Sequence, residues 1–285
     1  GIGAEYVAVA PLEIDITQPL NTFRVRIDSF QNFSPPDRAE YLWARPKNVT
    51  GGRGPDAPEV AVDYQDLRFQ LETGGEKFSV ATEIPIRLVD PVTNLNTAGM
   101  GDMSLTTKTV LCHGVRWQIT QLFRSYFNTG APSKGLGNGH ISLEPGMLAR
   151  FKIDDQTYVH SEITYWFPIA GHPEQSGQVL RWGVGISRVW RDWDSLALVP
   201  TFEIVGLSAM DGMETNVKRI AGDGLVFTTG DIDSRFAPVA FSGMRAVVDT
   251  GGDLGVLEFG FAAGINLGGS GWYDNMMRFE IRRDF

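Results

Sequence analysis

Met277-Arg278-Phe279-Glu280-Ile281-Arg282-Arg283-Asp284-Phe285 decides the fold. Successive side chains of a strand point to opposite faces. Met277, Phe279, Ile281 and Phe285 therefore share one face, and Arg278, Glu280, Arg282 and Asp284 share the other. The spacing predicts an amphipathic β-strand with one apolar and one charged side, closing on an aromatic.

The same period of two runs back through the chain. Leu257, Phe259, Phe261 and Ile265 oppose Glu258, Gly260, Gly264 and Asn266. Leu196, Leu198, Phe202 and Ile204 oppose Thr201 and Glu203, and Trp182, Val184 and Ile186 oppose Arg181, Gly183 and Gly185. Val159, Ile163, Tyr165 and Phe167 oppose Tyr158, His160, Glu162 and Thr164. Leu143, Met147, Phe151 and Ile153 oppose His140, Ser142, Glu144, Arg150 and Lys152. Val115, Trp117, Ile119, Phe123 and Phe127 oppose Arg116, Gln118, Thr120 and Arg124. Nearer the start, Met103 and Leu105 oppose Ser104 and Lys108, Ile84, Ile86 and Leu88 oppose Glu83 and Arg87, and Phe23, Val25 and Ile27 oppose Arg24, Arg26 and Asp28. In 59–72 the apolar phase passes from Val60, Val62 and Tyr64 to Leu67, Phe69 and Leu71, which predicts a β-bulge. With a less regular stretch at Pro238–Asp249, the count is twelve strands. Most are about 10–14 residues long, which suits a tilted membrane strand.

The connections alternate in length. Tight turns are predicted at Thr73–Glu76, His113–Gly114, Asp154–Gln156, Arg191–Asp192 and Thr250–Asp253, with the Gly, Asp and Asn chemistry of short hairpins. Longer loops are predicted at about Ser34–Pro58, Asp90–Gly99, Asn128–Gly139, Ala170–Gly177 and Leu207–Phe236, and a shorter one at Gly268–Gly271. Short turns on the periplasmic side and long loops outside are the habit of outer-membrane barrels. An even strand number then places both termini on the periplasmic side.

The chain has 285 residues and a net charge of −9, and no basic patch is visible, so a nucleic-acid partner is not expected. Cys112 is the sole cysteine, which excludes an intrachain disulfide. No apolar run approaches a membrane helix. His113, His140, His160 and His172 lack metal-ligand spacing, and no cofactor is expected. His140 and Ser142 share one face, but no acidic or amide partner accompanies them, so no catalytic residue is assigned and the chain is not read as an enzyme. Gly135-x-Gly137-x-Gly139 is not a dinucleotide fingerprint, because no helix follows it.

The fold class expected is all-β: a single closed antiparallel transmembrane β-barrel at 21–285. Residues 1–20, with Pro11 and Pro19, form a periplasmic extension or a small plug. A soluble sandwich or lipocalin-like barrel would share the periodicity. Against it, the polar face is rich in Arg and Glu and poor in the Lys that guards exposed strands. Aromatics gather near strand ends at Phe127, Tyr165, Phe167, Trp182, Trp190 and Trp272, as membrane-interface girdles do. In lipid every strand N–H and C=O must be paired within the protein, which favours closure. The final strand, ending at Phe285, has the form of an assembly signal for the barrel-insertion machinery. The expected location is the bacterial outer membrane with a signal peptide removed, and the partners are outer-membrane lipid, that machinery, and a homo-oligomer or envelope-assembly partner.

Strand parity then assigns the faces. Phe123, Phe151, Ile163, Val184, Phe202, Phe259 and Phe279 are expected to meet lipid. Arg24, Arg26, Glu83, Arg87, Lys108, Arg116, Arg124, Arg150, His160, Glu162, Arg181, Glu203, Glu258, Arg278, Glu280 and Arg282 are expected to line the lumen. Positive charge predominates in that set, which predicts a modest preference for anionic or polar solutes.

Two motif stretches carry a family resemblance. One is Ala98-Gly99-Met100-Gly101-Asp102-Met103 with Lys108. The other is Asn128-Thr129-Gly130, Gly135-Leu136-Gly137-Asn138-Gly139-His140 and Leu143-Glu144-Pro145-Gly146. Together they resemble the outer-membrane β-barrel family named for the meta-pathway of phenol degradation, with Asn128 where that family usually has Pro. Asp37-Arg38-Ala39-Glu40-Tyr41 is similar to planctomycete members of the group. The resemblance spans roughly 21–285 and implies a barrel that transports small, often hydrophobic compounds. The expected function is a narrow channel or transporter for small solutes. The alternative is a structural barrel that anchors an envelope assembly through apolar loop residues such as Tyr41, Leu42, Trp43, Leu225, Val226 and Phe227.

Overall fold

The computed structural model describes residues 2–169, 171–172, 175–220, 224–232, 236–251, 255–268 and 272–285. Twelve long strands follow one another: β1 Thr22–Phe33, β2 Val62–Gly74, β3 Phe78–Pro91, β4 Met103–His113, β5 Trp117–Phe127, β6 Ser142–Asp154, β7 Thr157–Pro168, β8 Gln178–Arg188, β9 Leu196–Asp211, β10 Phe236–Asp249, β11 Val256–Asn266 and β12 Asn275–Asp284. Each pairs antiparallel with its neighbour in sequence. The ring closes where β1 meets β12, from Thr22 opposite Asp284 to Gln31 opposite Asn275. Closure leaves none of the twelve with a free edge, which removes the usual liability of a long sheet.

The tight connections after β2, β4 and β6 lie at one end, the turn end, and the long ones at the other, the loop end. The turn expected at Thr250–Asp253 and the loop at Gly268–Gly271 run partly into 252–254 and 269–271, outside the described residues, as do 170, 173 and 174 in the loop before β8. Leu207–Phe236 is not a plain loop. Strand β9 continues to Asp211, and Met213–Ile220 pairs with Gly224–Asp231 as a projecting hairpin. Thr215, Asn216, Thr228 and Thr229 put polar groups on both faces there, so no amphipathic period marks it. The side chain of Leu225 lies outside the described set.

The bulge expected in 59–72 is absent. Strands β2 and β3 pair without interruption from Val62 opposite Pro91 to Gly74 opposite Ser79. The irregularity lies in β1 between Phe30 and Phe33, where Asn32 has φ 54°. Val62 and Tyr64 share the inward face with Asp66 and Arg68. The sequence changes phase there because the inward face turns from charged to aromatic, not because a residue is inserted.

Two kinds of interior result. Toward the loop end, Phe30, Phe33, Tyr64, Trp166, Trp272 and Tyr273 pack as a buried aromatic cluster. Below it the inward face is charged. Trp272, expected in a girdle, is 0% exposed within this cluster. It precedes β12, so strand parity does not govern it. Tyr165 and Phe167 do lie on the outward face of β7, and Trp182 stacks on Phe236 outside β8 at 5.8 Å. Phe123, Phe151, Ile163, Val184, Phe202 and Phe279 point outward and are 37–50% exposed, with Phe259 half-buried on the same face.

Candidate functional site: the lumen

Residues 2–20 run inside the barrel. Leu20 N–H donates to Glu72 near the turn end. The chain then rises, with Arg150 on the Gln18 side chain and Gln118 on the Thr17 carbonyl. Its apex is Leu12–Asp15. There Leu12 and Glu13 N–H donate to Glu203 at 3.0 and 2.7 Å, and Asp15 N–H to Glu162 at 2.8 Å. It descends again with Arg245 on the Pro11 carbonyl, Arg282 on the Val9 carbonyl, and Gly3 N–H on Asp192. A re-entrant segment held from opposite walls therefore fills the turn-end half. Its apolar side chains Val7, Leu12, Ile14 and Ile16 are all buried. Inward glycines give them room: a Cβ on Gly183 would come within 2.9 Å of Ile14, and one on Gly260 within 3.0 Å of Leu12. That is one physical reason for glycine on a polar face.

The walls are joined by ion pairs between strands. Arg282 grips Glu258 with two bonds of 2.7 and 2.6 Å, and Arg87 grips Asp66 with two of 2.7 and 2.9 Å. Arg245 reaches Glu280 at 2.8 Å, Lys108 reaches Glu72 at 3.0 Å, and Arg181 reaches Glu162 at 2.9 Å. Arg124 bridges Glu144 at 2.9 Å to Asp15 at 2.6 Å, and Arg278 joins Asp28 to Glu13. Planar guanidinium suits such carboxylate contacts.

Of the residues predicted for the lumen, Arg24, Arg26, Glu83, Arg87, Lys108, Arg124, Arg150, His160, Glu162, Arg181, Glu203, Glu258, Arg278, Glu280 and Arg282 point inward. Arg116 does not join them. It lies in the turn before β5 and is exposed, because the strand's alternation stops at Trp117. Among the described residues, Glu13, Asp15, Asp28, Asp66, Glu72 and Glu144 also face the lumen, against Arg68 and Arg245 added on the cationic side. These additions cancel the excess of positive charge read from the sequence. Parity along β1, β2, β6 and β10 could have found those on strands. Glu13 and Asp15 could not be found that way, because nothing local shows that their segment enters the barrel.

Between the apex of the luminal segment and the aromatic cluster lies a cavity of about 200 Å³. At roughly 10–15 Å³ per water it holds on the order of a dozen waters or one small solute. Arg24, Arg26, Arg68, Glu83 and Arg124 form part of its wall, and Phe30, Tyr64, Tyr273 and Trp166 stand toward the loop end. The connection 34–61 folds inward over it. Tyr41 meets Trp166 and Trp272 edge-on at 5.0 and 5.3 Å, and Trp43 is 2% exposed. Asp37 accepts from the Thr215 N–H at 3.0 Å and from its hydroxyl, and Arg38 pairs with Glu214 at 2.7 Å, so the hairpin holds this lid down. Burial pushes the Asp37 carboxyl above its ordinary range against those bonds, and pushes Tyr41 up to about 12. Burial also holds His140 below the ordinary imidazole range, with Glu40 opposing and Arg53 reinforcing the shift.

The two motif stretches meet here. Asp102 accepts the N–H groups of Gly130 at 3.0 Å and Asn138 at 2.9 Å, tying the connection 128–141 against the start of β4. Neither ring nitrogen of His140 nor the Ser142 hydroxyl has a hydrogen-bond partner among the described residues, so the pair is not a linked base and nucleophile.

No protein-family profile matches the chain, and no curated protein is similar to it in sequence. Among solved structures, "KdgM porin in complex with disordered oligogalacturonate" is similar at 8% identity, with 93% of this chain and 99% of that chain covered and a TM-score of 0.50. A second structure of KdgM porin aligns at 8% identity over 93% and 99%, TM-score 0.46. The Ralstonia pickettii toluene transporter TbuX aligns at 8% identity over 93% and 89%, TM-score 0.38. At this identity the first likeness is one of architecture. The chain is a closed twelve-stranded antiparallel barrel resembling outer-membrane porins.

Proposed function

We propose that the chain is a bacterial outer-membrane channel for small solutes, with the turn end in the periplasm and the loop end outside. Phe123, Phe151, Ile163, Val184, Phe202, Phe259 and Phe279 then meet lipid, and the inward charges line the path. One observation carries this reading: a closed barrel with an apolar exterior surrounds a charged cavity between a luminal segment and an inward-folded lid. A cavity stopped at both ends suits a gated conduit rather than a wide pore. The motif likeness to the phenol meta-pathway barrels supports the same class. The lumen's balanced charge argues for selection by local side-chain pattern rather than by bulk anion preference. The structural-anchor reading has less to stand on, because Tyr41 and Leu42 line the cavity and Trp43 is buried against Gly135, leaving Val226 and Phe227 on the hairpin.

Reconstitution tests it. Purified protein in planar bilayers is expected to show small, infrequent conductance steps, and deletion of 2–20 is expected to enlarge them. Silence from both proteins, with no solute flux into vesicles, would sink the channel reading.

A further inference from the structure

The charged part of the cavity is not evenly paired. Asp28 is held by two bonds from Arg278, at 2.6 and 2.9 Å, and Asp66 by two from Arg87, at 2.7 and 2.9 Å. Such forked contacts satisfy both partners. Arg24, Arg26 and Arg68 have none of this kind. Arg24 approaches Glu83 at 3.7 Å and Glu280 at 3.5 Å, but Glu280 also serves Arg245 at 2.8 Å. Arg26 approaches Glu83 at 3.7 Å and Asp28 at 3.3 Å. Arg68 approaches Glu83 at 3.4 Å and takes one bond of 2.9 Å to Asp66. The three guanidiniums thus share Glu83 at 3.4–3.7 Å, and their other contacts, including Arg68 to Asp28 at 3.7 Å, go to Asp28, Asp66 and Glu280, each of which is already held by a second arginine. The Nε of each is buried without a hydrogen bond among the described residues, although the Nε of Arg26 and of Arg68 lie 3.3 and 3.7 Å from Asp28. Arg26 and Arg68 stand directly opposite across β1 and β2. Like charges so placed repel, and unmet buried donors carry an uncompensated desolvation cost. An anion seated among them relieves both.

Toward the loop end the same cavity becomes aromatic. Phe30 stacks on Tyr64 with ring centres 4.5 Å apart, and Tyr273 closes edge-on at 5.0 Å. Phe30 lies four residues beyond Arg26 on β1, roughly 13 Å at about 3.3 Å per residue. The arginine side chain covers part of that span, leaving a length suited to one ring and its carboxylate. We propose that Arg24, Arg26 and Arg68 bind the carboxylate of a small organic acid whose flat apolar body rests against Phe30, Tyr64 and Tyr273. Glu83 is the counterion that the ligand displaces, which lets the solute leave again. The proposal names a solute class for the channel read above and rests on that reading.

The test is equilibrium binding of benzoate to the detergent-solubilised full chain, with benzyl alcohol as its uncharged analogue. Flux of benzoate and of a neutral sugar is measured in vesicles in parallel. Benzoate is expected to bind at least about tenfold more tightly than benzyl alcohol, the size of one charge-assisted hydrogen bond. Arg26→Gln and Arg68→Gln should each weaken benzoate about tenfold, and Arg116→Gln, in an exposed turn, should not. Glu83→Gln should tighten it, a gain that a merely structural role for Glu83 does not produce. Folding of each variant is checked by heat-modifiable gel migration. If a variant fails that check, the comparison of the two probes on the unaltered protein decides. Equal binding of the two probes, or weaker benzoate binding by folded Glu83→Gln, overturns the site. Sugar flux without benzoate binding overturns the site and leaves the channel standing. Benzoate binding without flux of either solute supports the site and overturns the channel.

Discussion

Arg282 and Glu258 show what a buried charge needs in this barrel. Both are 1% exposed and share two short bonds, and Arg282 also donates to the Val9 carbonyl. Removing Arg282 leaves buried Glu258 with only the longer 3.6 Å contact to Arg245 among the described residues. Arg282→Ala is therefore expected to cost about 3–5 kcal/mol, while replacing both residues with methionine should cost far less. Urea unfolding of the two variants in detergent, followed by gel migration, checks this, and equal losses would contradict it. His140 is the residue whose burial is expected to make the loop end pH-sensitive. Its ring is buried among loop residues, close to Trp166 at 5.7 Å, with Glu40, Arg53 and the backbone of Ile141 acting on its charge. Because its folded value is depressed, the stabilisation is present above the ordinary imidazole value of about 6.5 and is lost as pH falls through it. Asp37 works the other way: its raised value stabilises the lid below the ordinary carboxylate range and ceases to as pH rises through the raised one. Comparing the unaltered protein with His140→Phe isolates the first effect. Protease cleavage within 34–61 is expected to increase between pH 7 and 5 in the former and to change less in the latter.

At the scale of elements, the luminal segment decides whether the barrel is open. It is held by side chains from seven or more strands rather than by a strand ladder, so its removal leaves every pairing of the wall in place. Gly183 and Gly260 are where the wall yields to it. Gly183→Leu and Gly260→Leu would drive side chains into Ile14 and Leu12, and the atoms they meet are side chains rather than backbone. Their combination is expected to displace the apex and raise single-channel conductance toward that of the 2–20 deletion. Unchanged conductance with normal gel migration would show that the segment adapts in place. The wall strands were legible in the sequence, because one-sided burial makes a period of two unmistakable from Phe23 to Phe285. The luminal segment was legible only as an undecided choice between extension and plug. Leu12 and Ile14 pack against Gly260 and Gly183, far away in sequence, and no local pattern reports that. The projecting hairpin escaped notice for the opposite reason, having no apolar face to display.

At the scale of the whole molecule, the distribution of polarity is the inverse of a water-soluble barrel. Charged residues fill the interior and pair there, while large apolar side chains form the outward surface of nearly every strand. In water such a surface far exceeds the apolar patches that monomers usually expose. In lipid it is the expected exterior, and closure removes the unpaired strand edges that lipid does not tolerate. The charge balance of the lumen was only partly within reach of the sequence: Asp28, Asp66, Glu72 and Glu144 follow from strand parity, but Glu13 and Asp15 face inward only because their segment enters the barrel. The outward face was within reach, and it supports the sharpest test. Phe279 and Ile163 lie on different parts of the wall, 43% and 50% exposed, flanked by the inward Arg278 and Glu280 and by the inward Glu162 and Thr164. An arginine at a mid-bilayer outward position costs about 2–4 kcal/mol when lipid surrounds it. Phe279→Arg and Ile163→Arg should each destabilise the vesicle-inserted barrel by about that amount, measured as the shift in reversible urea unfolding from lipid. If water bathed this face, the same substitutions would cost almost nothing and would improve solubility in plain buffer. Thermodynamic neutrality in vesicles together with detergent-free monodispersity would therefore overturn the membrane placement and every functional reading built on it.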